Sequence, residues 1–396
     1  MQDRKIKIVH ILEGFVGGLA TYMCNVLPQL KKCGFDVTLV CSLRRSAPDA
    51  AEKIAELRKT GIEVCIIPMC RKITPILDLY CFFAILKLLI KHRFDIVHTH
   101  CSKAGAIGRT AASLAGVKTR FYSSHCFAFL RCGNFFTKRI YRSIEKLLGK
   151  ITTRFIAVSQ SDAEAAHRAG IFPPDKCVIV NNGLCRTEPL SGAQKCSKDT
   201  INKTSLGLAE NVFVVTTACR LVEYKGIFSF LEAATLSNSS CIFLIAGDGK
   251  LKSKIQKYIL ENSLSEKAKL LGHVSDMECL YSITDIVVLC SAMEAQPYLL
   301  LEAMRAKRPI IATDVAGNRE LLANKRGLLV KPSPERIARA VDELLSDEKK
   351  RKRLAGAAYE YFNKCHRLEK QIMQLTQTYK AALQERKGKE RVGNYI

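Results

Sequence analysis

Short apolar runs alternate along the chain with longer segments in which apolar residues recur every three or four positions. The run Ile6 to Leu12 fits a buried strand. Gly17 and Gly18 follow, and then Leu19, Met23, Val26, Leu27 and Leu30 mark a helix that ends at Lys32. The pattern predicts strands at 35–40, 63–68 and 95–100, with helices at 52–60 and 77–91 between them. Strand-like runs recur at 154–159 and 176–181. Strands that alternate with helices predict βαβ units and a parallel sheet.

The character changes after Asn181-Asn182-Gly183. Residues 185–204 are rich in Ser, Lys, Thr, Gly and Pro, which predicts a crossing between domains. A second α/β series then begins, with strands predicted at 212–218, 241–246, 268–272, 286–290 and 309–313. A charged helical region is expected at 345–353 and a C-terminal helix at 369–384, with a frayed basic tail. The expected organisation is a first α/β domain over 1–185, a second over 186–368, and a C-terminal helix over 369–396 that packs back on the first. Ligands of such sheets bind outside the carboxyl ends of the strands.

Composition narrows the classes. The 396 residues are 48% apolar, which excludes an intrinsically disordered chain. The most apolar stretch, Ile73 to Ile90, is interrupted by Asp78 and Lys87 and falls short of the ~20 clean residues a membrane span needs. The start, Met1-Gln2-Asp3-Arg4-Lys5, shows no secretory signal. The 17 cysteines are odd in number and include no Cys-x-x-Cys pair. Many, such as Cys41, Cys65, Cys219, Cys241 and Cys290, sit in strand-like runs, so we expect core thiols in a reducing, cytosolic compartment.

The net charge is +25, of which +15 lies before Leu184. Lys138, Arg139, Arg142, Lys146, Lys150 and Arg154 cluster with Ile140, Ile144 and Leu147, the pattern of an interfacial helix beside anionic lipid. A merely solvated helix face is the plainer alternative. No nucleic-acid-reading motif is present, and aromatics are only 7%.

Candidate chemistry gathers at predicted strand ends. Arg220 and Lys225 follow the strand at 212–218 and precede a helix, a position suited to an anion. Ala246-Gly247-Asp248-Gly249 forms a glycine turn after the next strand, and Gly272-His273-Val274-Ser275 follows another. Glu294 and Glu302, in Glu294-Ala-Gln-Pro297-Tyr298-Leu299-Leu-Leu-Glu302, could accept hydrogen bonds from two parts of one polyol.

In this order, and with Pro309 to Glu320 after them, these motifs resemble the retaining GT-B glycosyltransferases of family 4, over roughly Lys5 to Leu345. The likeness is strongest to bacterial enzymes of capsule, exopolysaccharide and lipopolysaccharide assembly. Gly17-Gly18, His98-Thr-His100, Ser124-His125-Cys126-Phe127 and Asn181-Asn182-Gly183 are similar to first-domain segments of that family.

The resemblance implies two Rossmann-like domains with parallel sheets facing a deep cleft. It implies transfer of a sugar from a nucleotide donor, most often UDP, to a lipid-linked or glycan acceptor. By the same resemblance Arg220 and Lys225 hold the diphosphate, Glu302 accepts from the ribose, and Glu294 and His125 approach the sugar. Gly17, Gly18, Gly247, Gly249, Pro297, Tyr298 and Leu299 line the donor site. No Asp-x-Asp motif stands at a strand end, so no metal or other cofactor is expected, and the cations take that part. The expected location is the inner face of the plasma membrane, with an anionic surface as partner and no nucleic acid. Alternatives are an epimerase or a sucrose- or trehalose-type synthase, a non-catalytic nucleotide-sugar sensor, or a nucleic-acid binder. The sequence departs from the family pattern at Cys126, Cys185, Ala295, Gln296 and Lys307.

Overall fold

The computed structural model describes residues 4–131, 133–185 and 201–393. The chain forms two compact units. One comprises Met1–Asn182 with Leu368–Ile396, and the other Gly183–Arg367. The chain enters and leaves the second unit side by side, since Leu184 bridges Arg367 and its N–H donates to the His366 carbonyl at 3.0 Å. Most of the polar stretch expected to cross between domains, 186–200, lies outside the described residues.

The first unit holds seven strands: β1 (Lys7–Leu12), β2 (Asp36–Cys41), β3 (Glu63–Ile66), β4 (Ile96–His100), β5 (Thr119–Ser123), β6 (Arg154–Ala157) and β7 (Cys177–Ile179). All pair in parallel, in the order β3-β2-β1-β4-β5-β6-β7. The second unit holds β8 (Phe213–Ala218), β9 (Cys241–Ala246), β10 (Ala268–Gly272), β11 (Ile286–Leu289), β12 (Ile310–Thr313) and β13 (Leu328–Val330), parallel in the order β10-β9-β8-β11-β12-β13. Strands β4 and β11 are buried at every position, because helices cover both faces of a parallel sheet. Each order reverses once, between β1 and β4 and between β8 and β11. These are the points at which open parallel sheets take ligands.

The charged region 345–353 is helical, as expected, and holds the junction between two helices. Helix Pro334–Ser346 stops, and Asp347 caps helix Glu348–Cys365 by accepting from the Lys350 N–H at 2.8 Å. The C-terminal helix runs over Leu368–Gly393, so the expected frayed tail is largely helical. Arg154, at the start of the expected strand-like run 154–159, lies in β6 beyond the basic helix Phe135–Lys150 and pairs with Glu385 at 2.9 Å.

The first unit carries more buried polarity than its apolar strands predict. Arg109 is fully buried and donates to Glu145 at 2.7 Å and to the Gly105 carbonyl at 2.8 Å. Its guanidinium stacks 3.7 Å from the Tyr122 ring centre, while the Tyr122 hydroxyl donates to the other Glu145 oxygen at 2.8 Å. The C-terminal helix is held by Tyr379, whose ring meets Phe121 edge-on at 4.9 Å and whose hydroxyl lies 2.7 Å from His98 Nδ1.

Two predictions follow from this core. Glu145→Ala leaves the Arg109 cation buried and unpaired and is expected to cost about 3–5 kcal/mol, read as a lower denaturant midpoint. Burial pushes His10 down to about 3 from 6.5 and also lowers His98. Unfolding lets these rings bind protons, so stability falls as pH drops from about 6.5 towards 3. Melting temperatures across that window should fall steeply in the wild type and less so in His10→Asn.

Candidate active site

In the second unit the functional side chains come from loops at the carboxyl ends of adjacent strands. After β8 the chain runs through Cys219 and Arg220 into a short turn, Glu223–Lys225, and Gly226 opens helix Ile227–Leu236. After β11 it runs through Ser291 to Pro297 into helix Tyr298–Arg305. The two loops are tied together, since the Ala292 N–H donates to the Tyr224 carbonyl at 2.8 Å. Arg220, Lys225 and Glu294 therefore meet at the reversal of strand order.

Lys225 and Glu294 form an ion pair across this gap, and both side chains are nearly buried. Burial alone would lower the Lys225 pKa. The charge and hydrogen bond of Glu294, with smaller effects of Cys219 and Tyr224, together outweigh burial and set it above its ordinary value, so the amine stays cationic. The Arg220 guanidinium bonds to the Tyr224 hydroxyl, and the Lys225 ammonium sits 5.6 Å from the Tyr224 ring centre. Tyr224 thus stands between the two cations. Its motif, Glu-Tyr-Lys, carries no signal for that placement.

Close backbone approach explains the glycines. At Gly247, φ is +138°, and a Cβ would come 1.9 Å from the Cys219 carbonyl oxygen. At Gly317, a Cβ would meet the Glu294 and Ala295 carbonyl oxygens at 2.6 and 2.3 Å. Gly247 and Gly249 belong to the loop after β9, which is hydrogen-bonded to the Arg220 loop through Leu221 N–H and the Asp248 carbonyl at 2.9 Å. Pro297, Tyr298 and Leu299 are buried at the start of their helix. Glu302 lies one turn further and accepts from the Tyr281 hydroxyl at 2.8 Å. Burial, reinforced by Glu302, raises the Tyr281 pKa well above its usual value. Tyr281 was not anticipated from the sequence.

The remaining expected residues lie in the first unit. Gly17, at φ +55°, and Gly18 start helix Gly18–Lys32 just after β1. His125 follows β5, and its Nε2 lies 2.9 Å from His100 Nδ1, at the end of β4. Burial pushes the His125 pKa down to about 4. His125 and Cys126 are consecutive left-handed residues, at φ +46° and +81°. The departure at Cys126 therefore places a side chain where glycine is at ease. Lys307 does the same at φ +53°, with its ammonium 4.3 Å from the Tyr359 ring centre.

Two family models match the sequence: Glycosyl transferases group 1 over residues 198–361, and Glycosyltransferase Family 4 over residues 16–186. The chain is 31% identical over 329 residues to the UDP-Gal:alpha-D-GlcNAc-diphosphoundecaprenol alpha-1,3-galactosyltransferase of Escherichia coli, covering 81% of this chain and 82% of that protein. It is 27% identical to the N,N'-diacetylbacillosaminyl-diphospho-undecaprenol alpha-1,3-N-acetylgalactosaminyltransferase of Campylobacter jejuni, covering 78% and 83%. Among solved structures, Anabaena HepE in complex with UDP-glucose matches 95% of this chain and 100% of its own, with a TM-score of 0.79 at 20% identity. The two parallel sheets, the order of the loop motifs and these likenesses agree: the chain is a GT-B glycosyltransferase and belongs to the group 1, family 4 glycosyltransferases.

Proposed function

We propose that this enzyme moves a hexose from a UDP-sugar to a polyprenyl-diphosphate-linked saccharide, with retention at the anomeric carbon, in the assembly of a cell-surface polysaccharide. The observation that carries this reading is the Lys225–Glu294 pair beside Arg220 at the second sheet's reversal point, in a chain whose relative in Escherichia coli is named for UDP-Gal and a diphosphoundecaprenol acceptor.

The chemistry follows from charge. A nucleoside diphosphate leaves with growing negative charge, and fixed cations aimed at it stabilise the transition state. Arg220 supplies a planar fork and Lys225 a point charge. In the free enzyme Glu294 occupies the Lys225 ammonium. A bound diphosphate competes for that ammonium and releases Glu294 toward the sugar hydroxyls. Glu302, steadied by Tyr281, is left to take the ribose. With two cations in place the reaction needs no divalent ion, and transfer is expected to continue in the presence of a chelator.

The lipid part of the acceptor fits the surface of the first unit. On helix Phe135–Lys150, Phe135 and Phe136 are 68% and 73% exposed beside the exposed Lys138, Arg139, Lys146 and Lys150. Apolar rings among basic residues suit the inner, anionic face of a plasma membrane. No described helix is long and apolar enough to cross a membrane.

A panel of nucleotide sugars, read by thermal shift and by transfer to a polyprenyl-diphosphate-linked acceptor, tests the reaction. Lys225→Ala should keep the fold and lower kcat by about 10²–10³. A near-normal rate in that variant, or sugar epimerised without an acceptor, overturns the reading. For the membrane, wild-type protein should co-sediment at low salt with vesicles containing anionic phospholipid and stay in solution with zwitterionic ones. Lys138→Glu with Arg139→Glu should weaken that binding more than tenfold, at about 1 kcal/mol for each basic residue.

A further inference from the structure

The first unit holds a cluster of imidazoles that the expected site does not use. His10, His98 and His100 are fully buried, and their ligand nitrogens lie within 4.8 Å of one another. Parallel pairing explains the cluster: His10 sits beside His98 in the β1–β4 register, and His100 follows on the same face. Three imidazoles could suit a transition metal. The rings, however, lie against one another, His10 stacked on His100 and the other two pairs tilted. His98 and His100 lie 4.2 Å apart, and His10 and His100 are inclined by only 15°. Five of the six nitrogens already bond to other side chains.

The polarity of these bonds can be worked out. Ser123 donates its hydroxyl proton to the Ile156 carbonyl at 2.7 Å. Its oxygen must then accept from His98 Nε2–H at 3.0 Å, and His98 Nδ1 accepts from Tyr379 at 2.7 Å. A second line runs through the other three rings. His125 Nε2 lies 2.9 Å from His100 Nδ1, and His100 Nε2 lies 3.0 Å from His10 Nδ1. The line ends at His10 Nε2, which is buried without a partner.

Neutral rings satisfy both bonds of that line in only two ways. If every ring donates toward His10, a buried Nε2–H is left with no acceptor. If every ring donates toward His125, only a lone pair is left over. Buried N–H groups without acceptors are the rarer orphan, so the second arrangement is favoured. Burial holds the rings neutral, as either arrangement requires, with His125 pushed down to about 4 and His10 to about 3.

We propose that His10 and His100 are positioning residues that hold His125 as its Nδ1–H tautomer, so that it meets a sugar hydroxyl as a hydrogen-bond donor. The relay stands on the first unit alone, and only the identity of the ligand rests on the glycosyl-transfer reading. Nδ1 is the nitrogen of His125 that has no partner among the described residues. Two features hold the ring in place. The backbone at His125 and Cys126 is left-handed, as strained residues at functional sites often are. The Tyr22 ring meets His125 edge-on at 5.4 Å and lies 5.4 Å from His100.

Nuclear magnetic resonance of the full chain with nitrogen-15 histidine, assigned through His125→Gln, reads the tautomer directly. The expected spectrum shows His125 protonated at Nδ1 and bare at Nε2. His10→Leu removes the terminal donor and should give a mixture of tautomers. With the donor sugar identified by the panel above, kcat in that variant should fall about tenfold, the weight of one hydrogen bond, with KM for the nucleotide sugar within twofold. His10→Asn, whose amide N–H falls near the Nδ1 position, should recover most of the rate. Finding His125 protonated at Nε2 in the wild type overturns the proposal, as does zinc retained in stoichiometric amount by the purified protein. An unchanged kcat in folded His10→Leu overturns it too. Should the wild type transfer no sugar at all, the glycosyl-transfer reading fails while the spectrum still decides the relay.

Discussion

In a parallel sheet every strand delivers its following loop to the same edge, and where the strand order reverses, neighbouring loops part and leave a gap. This geometric constraint positions all the chemistry described here. In the second unit the gap falls between β8 and β11, and the loops leaving it bring Arg220, Lys225 and Glu294 together across some seventy residues of sequence. In the first unit it falls between β1 and β4, and the residues there are Gly17, Gly18 and the histidines.

The two gaps are furnished in opposite electrostatic styles. The second unit places formal charges nearly out of water and stabilises them by pairing, which keeps the lysine cationic despite its burial. The first unit keeps its titratable groups neutral. Burial pushes His10, His98, His100 and His125 down in pKa; His10, His100 and His125 answer one another through hydrogen bonds instead of charge, and His98 bonds to Tyr379 and Ser123. A charged site suits a departing diphosphate, and a neutral, oriented donor suits a sugar hydroxyl.

Strand positions were legible because short apolar runs bounded by turn residues differ in length and spacing from the longer segments whose apolar residues recur every three or four positions. Expected strands such as 241–246 and 268–272 coincide with β9 and β10. The helical character of 345–353 was legible, but the junction within it was not, because Asp347 ends the first helix and starts the second without a glycine or proline.

The amino-acid sequence by itself determined the α/β alternation, the order of the loop motifs and the types of charged group at strand ends, since each depends on neighbours within one element or one turn. Tertiary structure alone decided which of those groups meet. Strand order sets the reversal points, and no local pattern encodes it. The pairing of Lys225 with Glu294, the support of Glu302 by Tyr281 and the line from His10 to His125 are contacts between residues on separate elements of the chain. They exist because parallel register sets separate strands side by side, and that register is the outcome of packing the whole sheet.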